Sequence, residues 1–255
     1  MELLLTYLGK SAGLLIVFFA LYYFLLRQDH SFSTNRKFLL GGLFASAILP
    51  SVQFTRTVFI EAQNSTFQIF EGDFPVSEVV PQEPVITPMQ ILLAIYLTGV
   101  AFMTGRMLLQ LISLSKVLYS GQISKYGGIN YIAVTGKMAP FSFLNFIVYN
   151  PALHSETELQ HILKHEKAHV IQWHTADVLL ANLNLIYQWF NPFAWLYVKI
   201  LQQNLEYIAD SEAVKEVPCK KEYQKVLVKI STKNFNPALT NSFYQSFIKK
   251  RIVML

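Results

Sequence analysis

The sequence predicts a mainly α-helical membrane protein, with three N-terminal transmembrane helices leading to a cytoplasmic-side domain that holds a small β-sheet and a re-entrant helical hairpin. Three observations predict it. Of 255 residues, 53% are hydrophobic and only 15% charged, where a soluble domain carries about 25% charged. Long uncharged stretches recur through the first half of the chain. In the second half, short β-prone runs give way to a strongly capped helix and then to another uncharged stretch broken by Asn191-Pro192. The net charge of +5 forms no single basic face, since Lys and Arg mostly flank the apolar stretches. It therefore reads as membrane topology, and direct nucleic-acid binding is not expected. The single cysteine, Cys219, excludes an internal disulfide and a cysteine metal site.

Residues 1–54 are read as the first two spans with a cytoplasmic connection. Ser11 to Leu26 is uncharged and, with its flanks, reaches the roughly 20 residues a bilayer crossing needs. No small-residue cleavage site follows it; Arg27-Gln28-Asp29-His30 does, which argues against a signal peptide. Phe38 to Phe54 is the second apolar stretch, where Gly41-Gly42 and Ala45-Ser46-Ala47 offer small faces for close helix packing. Residues 55–84 form an extracytoplasmic loop with strand-like alternation over Thr57 to Phe70, the glycosylation-like triplet Asn64-Ser65-Thr66, and a Pro-rich tether. Residues 85–118 are the third span, entered through Pro84 and Pro88 and continuing as a cytoplasmic helix toward Lys116.

Charge sets the orientation, because Lys and Arg collect on the cytoplasmic side. The connection from Arg27 to Lys37 holds Arg27, Arg36 and Lys37, whereas Thr55 to Pro84 holds Glu61, Glu71, Asp73, Glu78 and Glu83 against Arg56 alone. The first connection is thus placed inside and the N-terminus and second connection outside. Everything just after Arg106 falls in the cytoplasm, where residues 119–255 form the remaining domain. Within it, Ile129 to Thr135 and Phe143 to Tyr149 read as two strands among turn residues. The second lies just upstream of the capped helix, where a strand edge is suited to pair with an extended peptide backbone.

Ser155-Glu156-Thr157-Glu158 is a capping box, so a helix is expected to begin there and run from Glu158 through Trp173. It contains His165-Glu166-Lys167-Ala168-His169, a complete HExxH. Four residues advance a helix by slightly more than one turn, so the two imidazoles share a face and can share one ion. Glu166 stands beside the first of them and can act as base on an attacking water without filling a coordination position. A catalytic zinc site commonly takes three protein ligands, so a carboxylate is wanted. Asn204 to Asp210 offers Glu206, with Asp210 one turn later to accept the ring N–H of a ligand histidine; Glu212 and Glu216 are alternatives. His154, His161 and His174 are out of register with that face and are read as surface or interfacial.

A shared ion also constrains the uncharged stretch Val178 to Val198. One crossing would carry Glu206 to the wrong side of the membrane, and two would need about 40 residues plus a turn. With Asn191-Pro192 disfavouring a straight helix, a bent hairpin inserted around 176–200 and returning to its own side is expected.

Taken together, the chain resembles the BlaR/MecR-type antirepressor metalloproteases, multi-pass bacterial membrane proteins of the gluzincin class. The likeness rests on the three spans, Ala139-Pro140-Phe141-Ser142-Phe143, His165 to His169, Asp177, Trp189-Phe190-Asn191-Pro192, Glu206 to Asp210 and Lys250-Arg251-Ile252-Val253-Met254-Leu255. The resemblance implies a gluzincin-like zinc metalloprotease domain with one catalytic zinc ion and Glu206 as its third ligand. It also implies residence in the bacterial cytoplasmic membrane, and an external stimulus that triggers cleavage of a cytoplasmic repressor or of the protease itself; a homodimer is left open. Members that sense β-lactams continue into a further span and a penicillin-binding domain. No active-site serine motif of that kind is present, so β-lactam sensing is not expected and the chain reads as a piece of a longer receptor. Two other readings share the motifs: a constitutive quality-control or processing protease, and a receptor scaffold with an idle zinc site. The intact Glu166 argues against the scaffold.

Overall fold

The computed structural model describes residues 2–52, 87–136, 138–217, 220–233 and 250–254, with backbone alone at 230–233. The expectations for the acidic loop, its Asn64 triplet, the Pro84 tether and Cys219 lie outside those residues. The chain is mainly helical. Helix α1 (Glu2–Leu21) continues as a π turn over Tyr22–Leu26, and α2 (Phe32–Ile48) runs back along it, ending in a 3-10 turn at Leu49–Ser51. Small residues let the two approach: the Ser11 hydroxyl donates to the Ser46 carbonyl at 2.7 Å and the Tyr7 hydroxyl to the Ala47 carbonyl at 2.7 Å. Of the paired glycines, Gly42 lies against Phe18 and Tyr197, while Gly41 faces open space.

Helix α3 (Pro88–Ser120) is capped by a reciprocal pair, Thr87 with Gln90. At 33 residues it is roughly 50 Å long, more than the about 30 Å of a hydrocarbon core, and only 6% of its most apolar window is buried. A soluble core helix would be covered. Among the described residues, Glu2–Leu26 and α3 are long and apolar enough to cross a membrane. That corrects the expected three spans to two candidate spans. The reason is local: α2 has 17 residues and carries Asn35, Arg36 and Lys37 in its first turns, so its apolar part is short.

Four strands follow, β1 (Gln122–Tyr126), β2 (Ile129–Ala133), β3 (Phe141–Phe143) and β4 (Phe146–Tyr149), in the order β1-β2-β4-β3. β1 and β2 are antiparallel, joined by Gly127 and Gly128, whose positive φ of 56° and 82° is what a two-residue hairpin with the right twist demands. β2 and β4 are parallel, and β3 returns antiparallel to β4. Sequence reading expected two strands. The second is split because Leu144 adopts a left-handed turn (φ 48°), held by a hydrogen bond from its N–H to the Thr175 hydroxyl at 3.0 Å.

The sheet packs on helix α4 (Glu156–Ile171) through Ile129, Ile147, Leu163 and Val170. The capping box at its start is present on both sides, Ser155 with Glu158. Helix α5 (His174–Tyr187) follows a tight turn at Trp173 (φ 57°), and α6 (Pro192–Lys215) begins with Asn191 as cap and Pro192 in its first turn. The break at Asn191-Pro192 is therefore where it was expected. Tyr197, Leu201 and Leu205 on α6 are buried with Leu15, Leu39 and Leu43 in the main core. Its second half keeps Leu205 and Ile208 in that core and also packs against α4. Helix α7 (Lys220–Lys233) and the helical residues 250–254 cover this end, with Tyr223, Leu227 and Ile252 packed around Ala213.

Candidate metal centre

Two facing helices build the centre. On α4 the helical repeat brings His165 and His169 together, Nε2 to Nε2 at 3.2 Å. From α6, Glu206 presents Oε2 at 3.5 Å from His165 Nε2 and Oε1 at 3.6 Å from His169 Nε2. Among the described residues, these three form the group able to hold a metal ion. One ligand atom from each lies within 4.8 Å of the others, a grouping compatible with one ion bound by three protein ligands. The alternatives do not converge: Glu212 pairs with Lys215 at 2.8 Å in an exposed contact, and the Glu216 backbone accepts from Lys164.

Behind the imidazoles stands a layer of partners. Asp210, 1% exposed, has Oδ1 at 3.0 Å from His165 Nδ1. It also accepts from the Tyr223 hydroxyl at 2.7 Å and from Arg251, Nε at 2.7 Å and a terminal nitrogen at 2.6 Å. The other terminal nitrogen of Arg251 lies 2.8 Å from Glu206 Oε2. His169 Nδ1 is 2.8 Å from His174 Nδ1. That corrects the surface reading of His174, which is buried: α4 ends at Ile171, and the reversal at Trp173 folds His174 back under His169. Spacing counted along one continuous helix did not apply.

Burial sets the protonation pattern, and neighbouring charges modify it. Burial pulls His165 down, but hydrogen bonds with Asp210 and Glu206 and their charges overcome it and hold it up at about 10. Burial and the charge of His165 press His169 down to about 4. Burial alone would raise Glu206 and Asp210; hydrogen bonding with His165 for the first, and with Arg251 for the second, carries both well below the usual carboxylate range. Glu166 is different. Burial raises it, opposed by His165 and by a hydrogen bond with Ser142 of β3. The centre thus offers one carboxyl with raised basicity beside a place for a cation, an arrangement suited to general acid–base work on water.

Residues 122–255, more than half of the chain, match the family model described as BlaR1 peptidase M56. The chain belongs to the BlaR1 peptidase M56 family. No curated protein matches it. Membership makes it a peptidase by family and agrees with the resemblance drawn from its motifs, and the matched region spans all three residues of the cluster and Arg251. The M56 peptidase also has functional candidates that sequence reading missed. Ser142 was named only within a motif, Tyr223 not at all, and Arg251 only as part of the terminal run; none has a spacing relation to HExxH.

Proposed function

We propose that the chain is a zinc metalloendopeptidase of the bacterial cytoplasmic membrane, cutting a cytoplasmic protein, a transcriptional repressor or itself, as a step in transmembrane signalling. The observation that carries this reading is the meeting of His165 and His169 with Glu206, beside the half-buried Glu166. When bound, zinc supplies a Lewis acid for the scissile carbonyl and lowers the pKa of the attacking water. His165, His169 and Glu206 would hold it. Glu166 takes the proton from the water, a step that its raised pKa favours, and returns it to the leaving amine. Asp210 keeps the His165 proton on Nδ1, leaving Nε2 for the ion, and His174 does the same for His169. No covalent intermediate is needed.

The substrate backbone is read as an extended strand. β3 is an edge of the sheet, and its Ser142 lies near enough to Glu166 to lower its pKa, so a peptide pairing with that edge would pass near the base. The side of the membrane is read from Arg36. It reaches Asp177 and the Gln172 carbonyl, so the basic connection and the end of the HExxH helix share one end of the bundle, and its positive charge supports reading that end as the inner one.

The test is Glu166→Gln expressed beside candidate repressors, with fragments and metal content measured on both proteins. Zinc is expected to stay bound while all cleavage, including self-cleavage, disappears. Cleavage by the Gln variant would overturn the assignment.

A further inference from the structure

Arg251 is left without a task in the reaction above, yet it touches the centre more closely than any other cation among the described residues. Glu166, Glu206 and Asp210 converge on one place, where Arg251 joins His165 in lowering the pKa of each. Its guanidinium spans the two carboxylates that stand one turn apart on α6, with Nε and one terminal nitrogen on Asp210 and the other terminal nitrogen on Glu206. A planar fork can hold two carboxylates in fixed relative orientation; an ammonium is a point charge and cannot. All three nitrogens face carboxylates, so the geometry favours holding protein groups over gripping a substrate.

The consequences for the cluster follow. Asp210 held by the fork keeps Oδ1 against His165 Nδ1, and Glu206 held by it keeps its oxygens toward the imidazole pair. Charge balance agrees: three carboxylates are offset by one guanidinium and one divalent ion. Arg251 arrives from residues 250–254, which α7 secures through Gln224 Nε2 donating to the Ile252 carbonyl at 3.3 Å and through the packing of Ile252. Docking of that segment completes the site.

We propose that Arg251 is a positioning residue of the metal centre, setting the third ligand and the His165 tautomer, so that zinc affinity depends on it. This rests on the zinc reading of the site. The experiment is chelator competition for zinc on the whole protein in detergent, comparing wild type, Arg251→Met, Arg251→Lys and His165→Ala, with thermal unfolding of each metal-free protein alongside. Loss of a group that orients metal ligands typically weakens binding about 10–100-fold, and that loss is expected for Met, with Lys between Met and wild type. Raising zinc should then restore occupancy and cleavage to the Met variant, which a misfolded chain would not show. A folded Met variant within about twofold of wild-type affinity overturns the inference. If the Met variant does not fold, the Lys variant decides, since wild-type affinity without the fork is equally fatal. If wild type binds zinc no better than His165→Ala, the zinc reading itself fails, an outcome distinguishable from failure at Arg251.

Discussion

Gly99 of α3 is fitted against the indole of Trp189 in the α5–α6 turn: a Cβ at position 99 would overlap the ring. The contact is fastened by Trp189 Nε1 donating to the Tyr96 carbonyl at 3.3 Å and the Tyr96 hydroxyl donating to the Tyr187 carbonyl at 3.1 Å. A glycine in a helix is ordinarily improved by alanine, by about 1 kcal/mol. Gly99→Ala should do the reverse and destabilise by about 1–3 kcal/mol, the usual cost of overpacking. Gly105→Ala, on the same helix with open space around it, is the control and should be neutral or stabilising. Thermal unfolding in detergent checks both, and equal behaviour of the two variants would contradict the notch.

Asp210 can be tested apart from its neighbours. Asp210→Asn keeps the shape but offers an amide where His165 Nδ1 and two Arg251 nitrogens need an acceptor, so zinc affinity should fall about 10–100-fold. Tyr223→Phe removes one donor to Asp210 and a 3.0 Å contact with His165 Nδ1 but leaves the Arg251 fork and the Asp210 acceptor in place. Its effect should therefore be smaller than that of Asp210→Asn, at roughly 0.5–1.5 kcal/mol for a neutral hydroxyl's hydrogen bond. Zinc competition on the two variants orders them; a larger loss for Phe than for Asn would contradict the assigned hierarchy.

The parts of this centre legible in the sequence are those that a single helix encodes. His165 and His169 share a face because of the helical repeat, Glu206 and Asp210 for the same reason, and Ser155 with Glu158 announces the helix start. Arg251 lies 41 residues from Asp210 and Tyr223 lies 58 from His165, so only tertiary packing brings them in. His174 was misread because its burial depends on the left-handed turn at Trp173, and the strand break at Leu144 was missed because leucine is not a turn former. The membrane count failed at α2 for a related reason. Arg36 and Asn35 look like loop residues, yet they lie in the first turns of the helix, where Asn35 bonds the Leu26 and Asp29 carbonyls of the preceding connection and Arg36 reaches Asp177 across the bundle.

Protonation of the metal-free centre makes a prediction about pH. Folded His165 keeps its proton up to about 10, while the unfolded chain releases it near the ordinary value of about 6.5. Between those values the folded state binds more protons, so stability should fall as pH rises. Folded His169 stays neutral down to about 4, so between there and about 6.5 the unfolded state binds more, and stability should rise with pH. Metal-stripped protein should therefore be most stable near neutrality, at about pH 6–7. Zinc requires both imidazoles neutral and should remove the alkaline decline. Melting temperature against pH, with chelator and with zinc, tests this; an alkaline decline of the same size with zinc bound would count against zinc on His165.

Arg36 ties α2 to the end of the HExxH helix, and the size of that tie can be argued from what its loss would leave behind. Its Nε donates to Asp177 Oδ2 at 2.6 Å, and its terminal nitrogens donate to the Gln172 carbonyl at 2.7 Å and the Gln172 side chain at 3.3 Å. Gln172 is the C-terminal cap of α4, where the helix dipole favours a cation. Arg36→Met would leave the nearly buried Asp177 carboxylate unpaired and the helix end uncovered, at a cost of about 2–4 kcal/mol. Most of that is the penalty of a stranded charge. Arg36→Met combined with Asp177→Leu should therefore recover much of the loss, because removing both partners of a buried pair is often close to neutral. Unfolding free energies of the two single variants and the double variant close the cycle. A double variant no more stable than Arg36→Met would show that the guanidinium acts through the α4 terminus alone, and the tie to Asp177 would carry no stability of its own.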